Sequence, residues 1–234
     1  FCLPQNLKAF QHSNRYAGQV LQDYSQWFME YPYESITIVD GNNSPGGGME
    51  YPMITLINPV GFQPIMEVAI IHEVGHNWFY GMMNSNETYR AFMDEGFTQF
   101  LTSWAQEKID GIYTVISPSS SKYINKFREP REVKEDEVYY GYMRDAVLGN
   151  DPQLNTHSDG FNGALRHGGG YGHVYYKTAA MLYNLQYVLG DDLFLEAMQY
   201  YFKKWSFAHP YPEDFRQSII EYTHADLNWF FDLW

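Results

Sequence analysis

Residues 72–97, HEVGHNWFYGMMNSNETYRAFMDEGF, place His72 and His76 four apart with Glu73 beside the first, and Glu95 after eighteen intervening residues. On a helix, positions i and i+4 lie one above the other, so both imidazoles can face one cation. Zinc accepts imidazole nitrogen and carboxylate oxygen, and catalytic zinc sites keep a fourth position for water. Glu73 projects from the next position and is placed to take a proton from that water rather than to bind the ion. Two His and a Glu in this pattern arise by chance in roughly one or two chains per hundred, so the flanks matter. VAII before the pair and WFYG after it are apolar. Both histidines are therefore expected to be buried, where a shared metal gives each a partner. Glu95 lies in FMDEGFTQF, between Phe92 and Phe97. The intervening residues leave room for one turn and the start of a helix packing back, which makes Glu95 the expected third ligand.

The bulk of the chain agrees with a well-packed globular body and fits a hydrolase or a binding protein equally well. It has 234 residues, 45% of them hydrophobic and 18% aromatic, enough for a substantial core. A formal charge of −13 argues against nucleic acid and anionic membrane as partners. No apolar run reaches the length that crosses a bilayer. The single cysteine, Cys2, rules out an internal disulfide framework and a cysteine-based zinc site, so any metal must be held by His and carboxylates. The opening FCLPQNLKAF is expected to be the cut edge of a longer protein.

Periodicity predicts a helix from Leu7 to Glu30, a strand over Ser35–Asp40, and a loop through GNNSPGGG. MEYPMITLINP is expected to be extended and, because prolines interrupt it, to lie at a sheet edge. A helix is predicted from Pro64 through the two histidines to WFYG, and another from Ala91 to Lys108. Ser117–Gly170 reads as loops and short helices, and helical periodicity resumes from Tyr171.

HEVGHNW followed by DEGF resembles the HExxH-x18-E signature of gluzincin metallopeptidases, and within them the aminopeptidase N and leukotriene A4 hydrolase-like family. The resemblance implies an α+β fold: a thermolysin-like zinc peptidase catalytic domain, with a small mixed sheet plus helices followed by a mainly α-helical lobe. The sublobes fall at about 1–82 and 83–234 of one domain spanning 1–234. It implies one zinc ion held by His72, His76 and Glu95, with Glu73 as general base. GGGMEYP (Gly46–Pro52) resembles the family's Gly-x-Met-Glu-Asn motif, with Tyr51 in place of Asn. Its glycines, Gly47 and Gly48 among them, let a peptide backbone approach and add as a strand. The resemblance assigns Glu50 to the substrate's free α-amino group. GHVYYKTAAMLYNL (Gly172–Leu185) resembles the family's Val-Tyr-Glu-Lys-Gly segment, with Tyr176 for Glu and Thr178 for Gly. Tyr175 then aligns with the tyrosine that stabilises the oxyanion, and Tyr171 and Tyr176 compete with it. DLNWFFDLW resembles the end of the family's catalytic domain, and the family's flanking β- and helical domains are absent from the chain.

The expected activity is removal of N-terminal residues from peptides, with flanking domains of the same polypeptide as partners. A thermolysin-type endopeptidase and a non-catalytic module on the same fold are the alternatives. His167 and His173 could line the cleft, and Gln99, one turn after Glu95, could support a ligand. Ordinary structural roles compete for all three.

Overall fold

The computed structural model describes residues 1–42, 47–114, 119–161 and 172–234. Three short strands form one mixed sheet: β1 (Thr37–Asp40), β2 (Gly48–Met49) and β3 (Ile54–Ile57), in the order β1-β3-β2. β3 runs parallel to β1, with Thr37 opposite Ile54, and antiparallel to β2, with Gly48 opposite Ile57. The single edge strand expected over MEYPMITLINP is thus two strands, and β3 is central rather than at the edge. Its prolines lie outside the ladder, and the chain breaks between the strands where Met53 takes a φ of 64°.

Helix α2 (Gln63–Gly75) packs on β2 and β3, and α1 (Ser13–Trp27) and α3 (Glu95–Asp110) pack against α2. α1 is shorter than its periodicity suggests. Residues 4–6 form a separate 3-10 turn, and the Leu3 amide and Asn6 amide group both bond to Asp40 Oδ2 at the end of β1. α2 opens with Pro64 in its first turn, where the missing N–H costs nothing. It ends at Gly75, earlier than expected, because Asn77 intervenes: its Nδ2 donates to the Val74 carbonyl at 3.0 Å, and its Oδ1 accepts from the Met53 amide at 3.0 Å. The helix predicted from Ala91 is likewise split into a 3-10 turn at Ala91–Met93 and α3, with Asp94 at the junction.

Helices and helical turns, joined by loops, make up the regular structure of the remaining described chain. It contains α4 (Lys122–Phe127), a π-helical turn at Glu135–Tyr139, α5 (Tyr140–Val147), α6 (Gly172–Leu189), α7 (Asp191–Trp205), α8 (Pro212–Thr223) and α9 (Asn228–Phe231). No helix among the described residues is long and apolar enough to cross a membrane. The aromatic content predicted to build a core does so around α2 and α3. Trp78 meets Tyr24 edge-on at 5.4 Å, Phe28, Phe79 and Phe202 form a mutual cluster, and Phe97 contacts Phe215 at 4.9 Å. α6 lies against α3 so closely that a Cβ on Gly96 would come within 2.5 Å of the Val174 carbonyl oxygen. That approach fixes α6, and with it Tyr175, relative to Glu95.

Candidate metal centre

His72 sits in the last turn of α2 and His76 caps its end, while Glu95 opens α3. The antiparallel return between them brings three atoms to one point. His72 Nε2 and His76 Nε2 stand 3.1 Å apart, and Glu95 Oε2 lies 3.1 Å from the first and 3.2 Å from the second. The neighbours decide which ring nitrogen is free. The Thr102 hydroxyl donates to the Thr98 carbonyl at 2.7 Å, so toward His72 Nδ1, 3.2 Å away, it can only accept. His76 Nδ1 faces Asp94 Oδ1 at 2.6 Å. Both imidazoles therefore keep their protons on Nδ1 and turn Nε2 lone pairs toward the Glu95 oxygen.

Three lone pairs on one point call for a positive charge. The surroundings of His76 push its imidazole toward carrying one. Burial pulls that imidazole down, but Asp94 and then Glu95 outweigh burial and hold it well above the usual histidine range. Burial likewise pushes the Glu95 carboxyl up, and the imidazoles of His72 and His76 facing it reverse this, leaving it lowered. A metal ion competes for the same position. Ligands about 2.0–2.1 Å from a tetrahedral zinc stand about 3.3 Å from one another, close to the spacing found here.

Glu73 points from the buried side of α2 toward β2. It is 8% exposed, and its Oε2 has no hydrogen-bond partner among the described residues. Burial pushes its carboxyl up to about 7 against the opposing charges of His72 and His76. Gly48 accommodates it: a Cβ there would lie 2.2 Å from Glu73 Oε1. The glycine thus makes room for Glu73 itself, whereas a Cβ on Gly47 would meet nothing within 4 Å. Glu50, at the end of β2, offers an oxygen within 4.8 Å of Glu73 and His76 ligand atoms.

The Tyr175 ring lies 6.0 Å from that of His72. Burial, and then the charge of Glu95 and a hydrogen bond to it, raise its phenol well above the usual range. Tyr176 turns to α5 instead, its ring lying where a Cβ on Gly141 would come within 2.5 Å. Tyr171, His167 and Gly46 lie outside the described residues. His173 is buried edge-on against Phe161 at 4.7 Å. Gln99 Nε2 donates to the Glu137 carbonyl at 3.2 Å rather than supporting Glu95. Sequence reading overlooked Asp94 and Thr102 as partners of the two imidazoles, although Asp94 directly precedes Glu95. It also overlooked Glu137, whose carboxyl is pushed up to about 6 by burial and by Asp136.

Residues 13–234 match the model of the peptidase family M1 domain. The chain belongs to peptidase family M1. Among similar proteins, mouse (Mus musculus) aminopeptidase B is 28% identical over 76% of this chain and 26% of its own length. Candida albicans aminopeptidase 2 is 20% identical over 96% of this chain and 24% of its own length. The chain thus spans about a quarter of these relatives. The M1 zinc metallopeptidase of Deinococcus radiodurans superposes with a TM-score of 0.69 at 16% identity, covering 94% of this chain and 43% of that one. The mixed sheet followed by helices is therefore the M1 fold. Family membership implies one zinc ion, and the converging donors of His72, His76 and Glu95 fit it.

Proposed function

We propose that residues 1–234 form the thermolysin-like catalytic domain of a zinc aminopeptidase that removes N-terminal residues from peptides. Further domains of the same polypeptide would flank it, as the greater length of the relatives suggests. The reading is carried by one observation: the lone pairs of His72, His76 and Glu95 converge while Oε2 of the buried Glu73 beside them has no hydrogen-bond partner among the described residues.

His72 Nε2, His76 Nε2 and Glu95 Oε2 would hold the ion. Zinc there supplies Lewis acidity, polarising the scissile carbonyl and acidifying water. Glu73 accepts a proton from the attacking water as its oxygen bonds to the carbonyl carbon, and then delivers that proton to the departing amine nitrogen as the C–N bond breaks. Tyr175 donates a hydrogen bond to the developing oxyanion and keeps its own proton. Glu50 accepts from the substrate's terminal ammonium, which sets the cut one residue from the end. Gly47 leaves the chain beside β2 open to the substrate backbone, while Gly48 makes room for Glu73.

Metal analysis combined with paired substrates tests this reading. One zinc per chain and hydrolysis of a free-amine peptide, with its N-acetylated form resistant, are the expected results. Equal rates on the two peptides would instead mark a thermolysin-type endopeptidase. Protein prepared with zinc present that still binds none would mark a non-catalytic module.

A further inference from the structure

The turn between the two zinc-facing helices carries a carboxylate that the mechanism above does not use. Glu87 presents an oxygen within 4.8 Å of oxygens from both Glu50 and Asp94. Asp94 is engaged by His76 at 2.6 Å. Glu50 is only 9% exposed, and among the described residues no hydrogen bond or ion pair reaches its carboxylate or that of Glu87. Two carboxylates held this close repel unless a cation stands between them. An ammonium donating two N–H bonds of about 2.8 Å at the tetrahedral angle spaces its acceptors about 4.6 Å apart, inside the observed limit.

The position of Glu87 is fixed by its surroundings. The Asn84 amide bonds to the Ala208 carbonyl at 3.1 Å, and the Asn84 carbonyl lies 3.0 Å from His209 Nδ1. Further along, the Glu87 amide donates to the Ser85 carbonyl at 2.9 Å and the Arg90 amide to the Asn86 carbonyl at 2.7 Å. Glu87 also borders a cavity of about 420 Å³ with Tyr80, Asn84, His209 and Tyr211, room for the side chain next to a bound ammonium. Glu50 in turn reaches Glu73 and His76, so an ammonium at this pair leaves its own residue's carbonyl beside the reacting groups.

We propose that Glu87 joins Glu50 in a two-carboxylate clamp on the substrate's N-terminal ammonium, an assignment that rests on the aminopeptidase reading. The clamp supplies from within this chain a second acidic contact to the amine.

The test compares zinc-loaded wild type, Glu87→Gln and Glu87→Asp on leucine arylamide and on its des-amino analogue, isocaproyl arylamide. Calorimetric binding of leucinamide and isocaproamide gives a readout independent of turnover. Glu87→Gln should lower kcat/KM for the free-amine substrate, and the affinity for leucinamide, by about 10–100-fold, while leaving the des-amino pair unchanged. Glu87→Asp should recover part of the loss. No loss, or an equal loss on both substrates, overturns the clamp. If wild type itself fails to prefer the free amine, the aminopeptidase reading falls. If wild type discriminates and Glu87→Gln discriminates equally well, only Glu87 is removed from it. A second divalent ion per chain, lost in Glu87→Gln, would also overturn the clamp in favour of a metal site.

Discussion

Asp94 Oδ1 and His76 Nδ1 face each other across 2.6 Å, both essentially excluded from solvent. The pair fixes the tautomer of His76 and aims its Nε2 at the point shared with His72 and Glu95. Replacing Asp94 by Asn keeps the shape and removes the charge that makes this imidazole a strong donor. Zinc affinity should fall by about 10–100-fold, measured by competition with a chelator. An unchanged affinity would mean that Thr98 and the Phe79 carbonyl, each 3.2 Å from His76 Nδ1, suffice to orient it.

Glu73→Gln should retain zinc and lose about 10²–10⁴-fold in kcat, because the amide cannot accept the proton of the attacking water. The same variant has a second, thermodynamic signature. In metal-free protein burial raises the Glu73 carboxyl from 4.5 to about 7. Between those values the folded state holds a proton that the unfolded chain releases, so this group costs stability as pH rises through the window. Metal-free Glu73→Gln escapes that loss. Its stability relative to wild type should increase by roughly 3 kcal/mol between about pH 4 and pH 8, read from urea unfolding. A pH-independent difference would show that Glu73 is not buried as described.

Tyr175→Phe should lower kcat by about 10²–10³-fold with little change in KM, the loss associated with one oxyanion donor. Because burial and the Glu95 carboxylate push the phenol upward, Tyr175 stays protonated through neutral and mildly alkaline solution. Full activity in the phenylalanine variant would shift attention to Tyr171 or to another donor.

The triad was legible in sequence because helical geometry constrains it: positions 72 and 76 must share a face, and Glu95 opens a helix that packs back. What was hidden depends on how the chain turns between residues 76 and 94. Nothing local announces that Asn77 ends α2 by bonding both the Val74 carbonyl and the Met53 amide, or that Glu87 reaches Glu50. The central place of β3 was likewise concealed, since prolines near a strand suggest an edge only when they fall inside its ladder. Tyr175 and Tyr176 are adjacent in sequence, and the packing of α5 against α6 separates their surroundings. Glycines in this motif suggest access for substrate, yet at Gly48 the nearest claimant is a side chain of the protein itself.

That glycine offers a way to move the base without removing it. A Cβ at residue 48 would fall 2.2 Å from Oε1 and 2.3 Å from Cδ of Glu73, so Gly48→Ala forces the carboxylate aside. The obstructed atoms belong to the end of a flexible chain rather than to backbone, and Gly48 has no positive φ that alanine would strain. The fold and the zinc ligands should consequently survive. A displacement of about 1 Å at a reacting group can cost on the order of 10²-fold in rate, so kcat should drop by about that factor. Zinc content should stay at the wild-type level and the unfolding midpoint should shift only slightly. Gly61→Ala is the matched control, since its Cβ meets nothing within 4 Å. Loss of folding in Gly48→Ala would mean that Glu73 cannot yield, and wild-type kcat would mean that the observed Glu73 position is not the one that reacts.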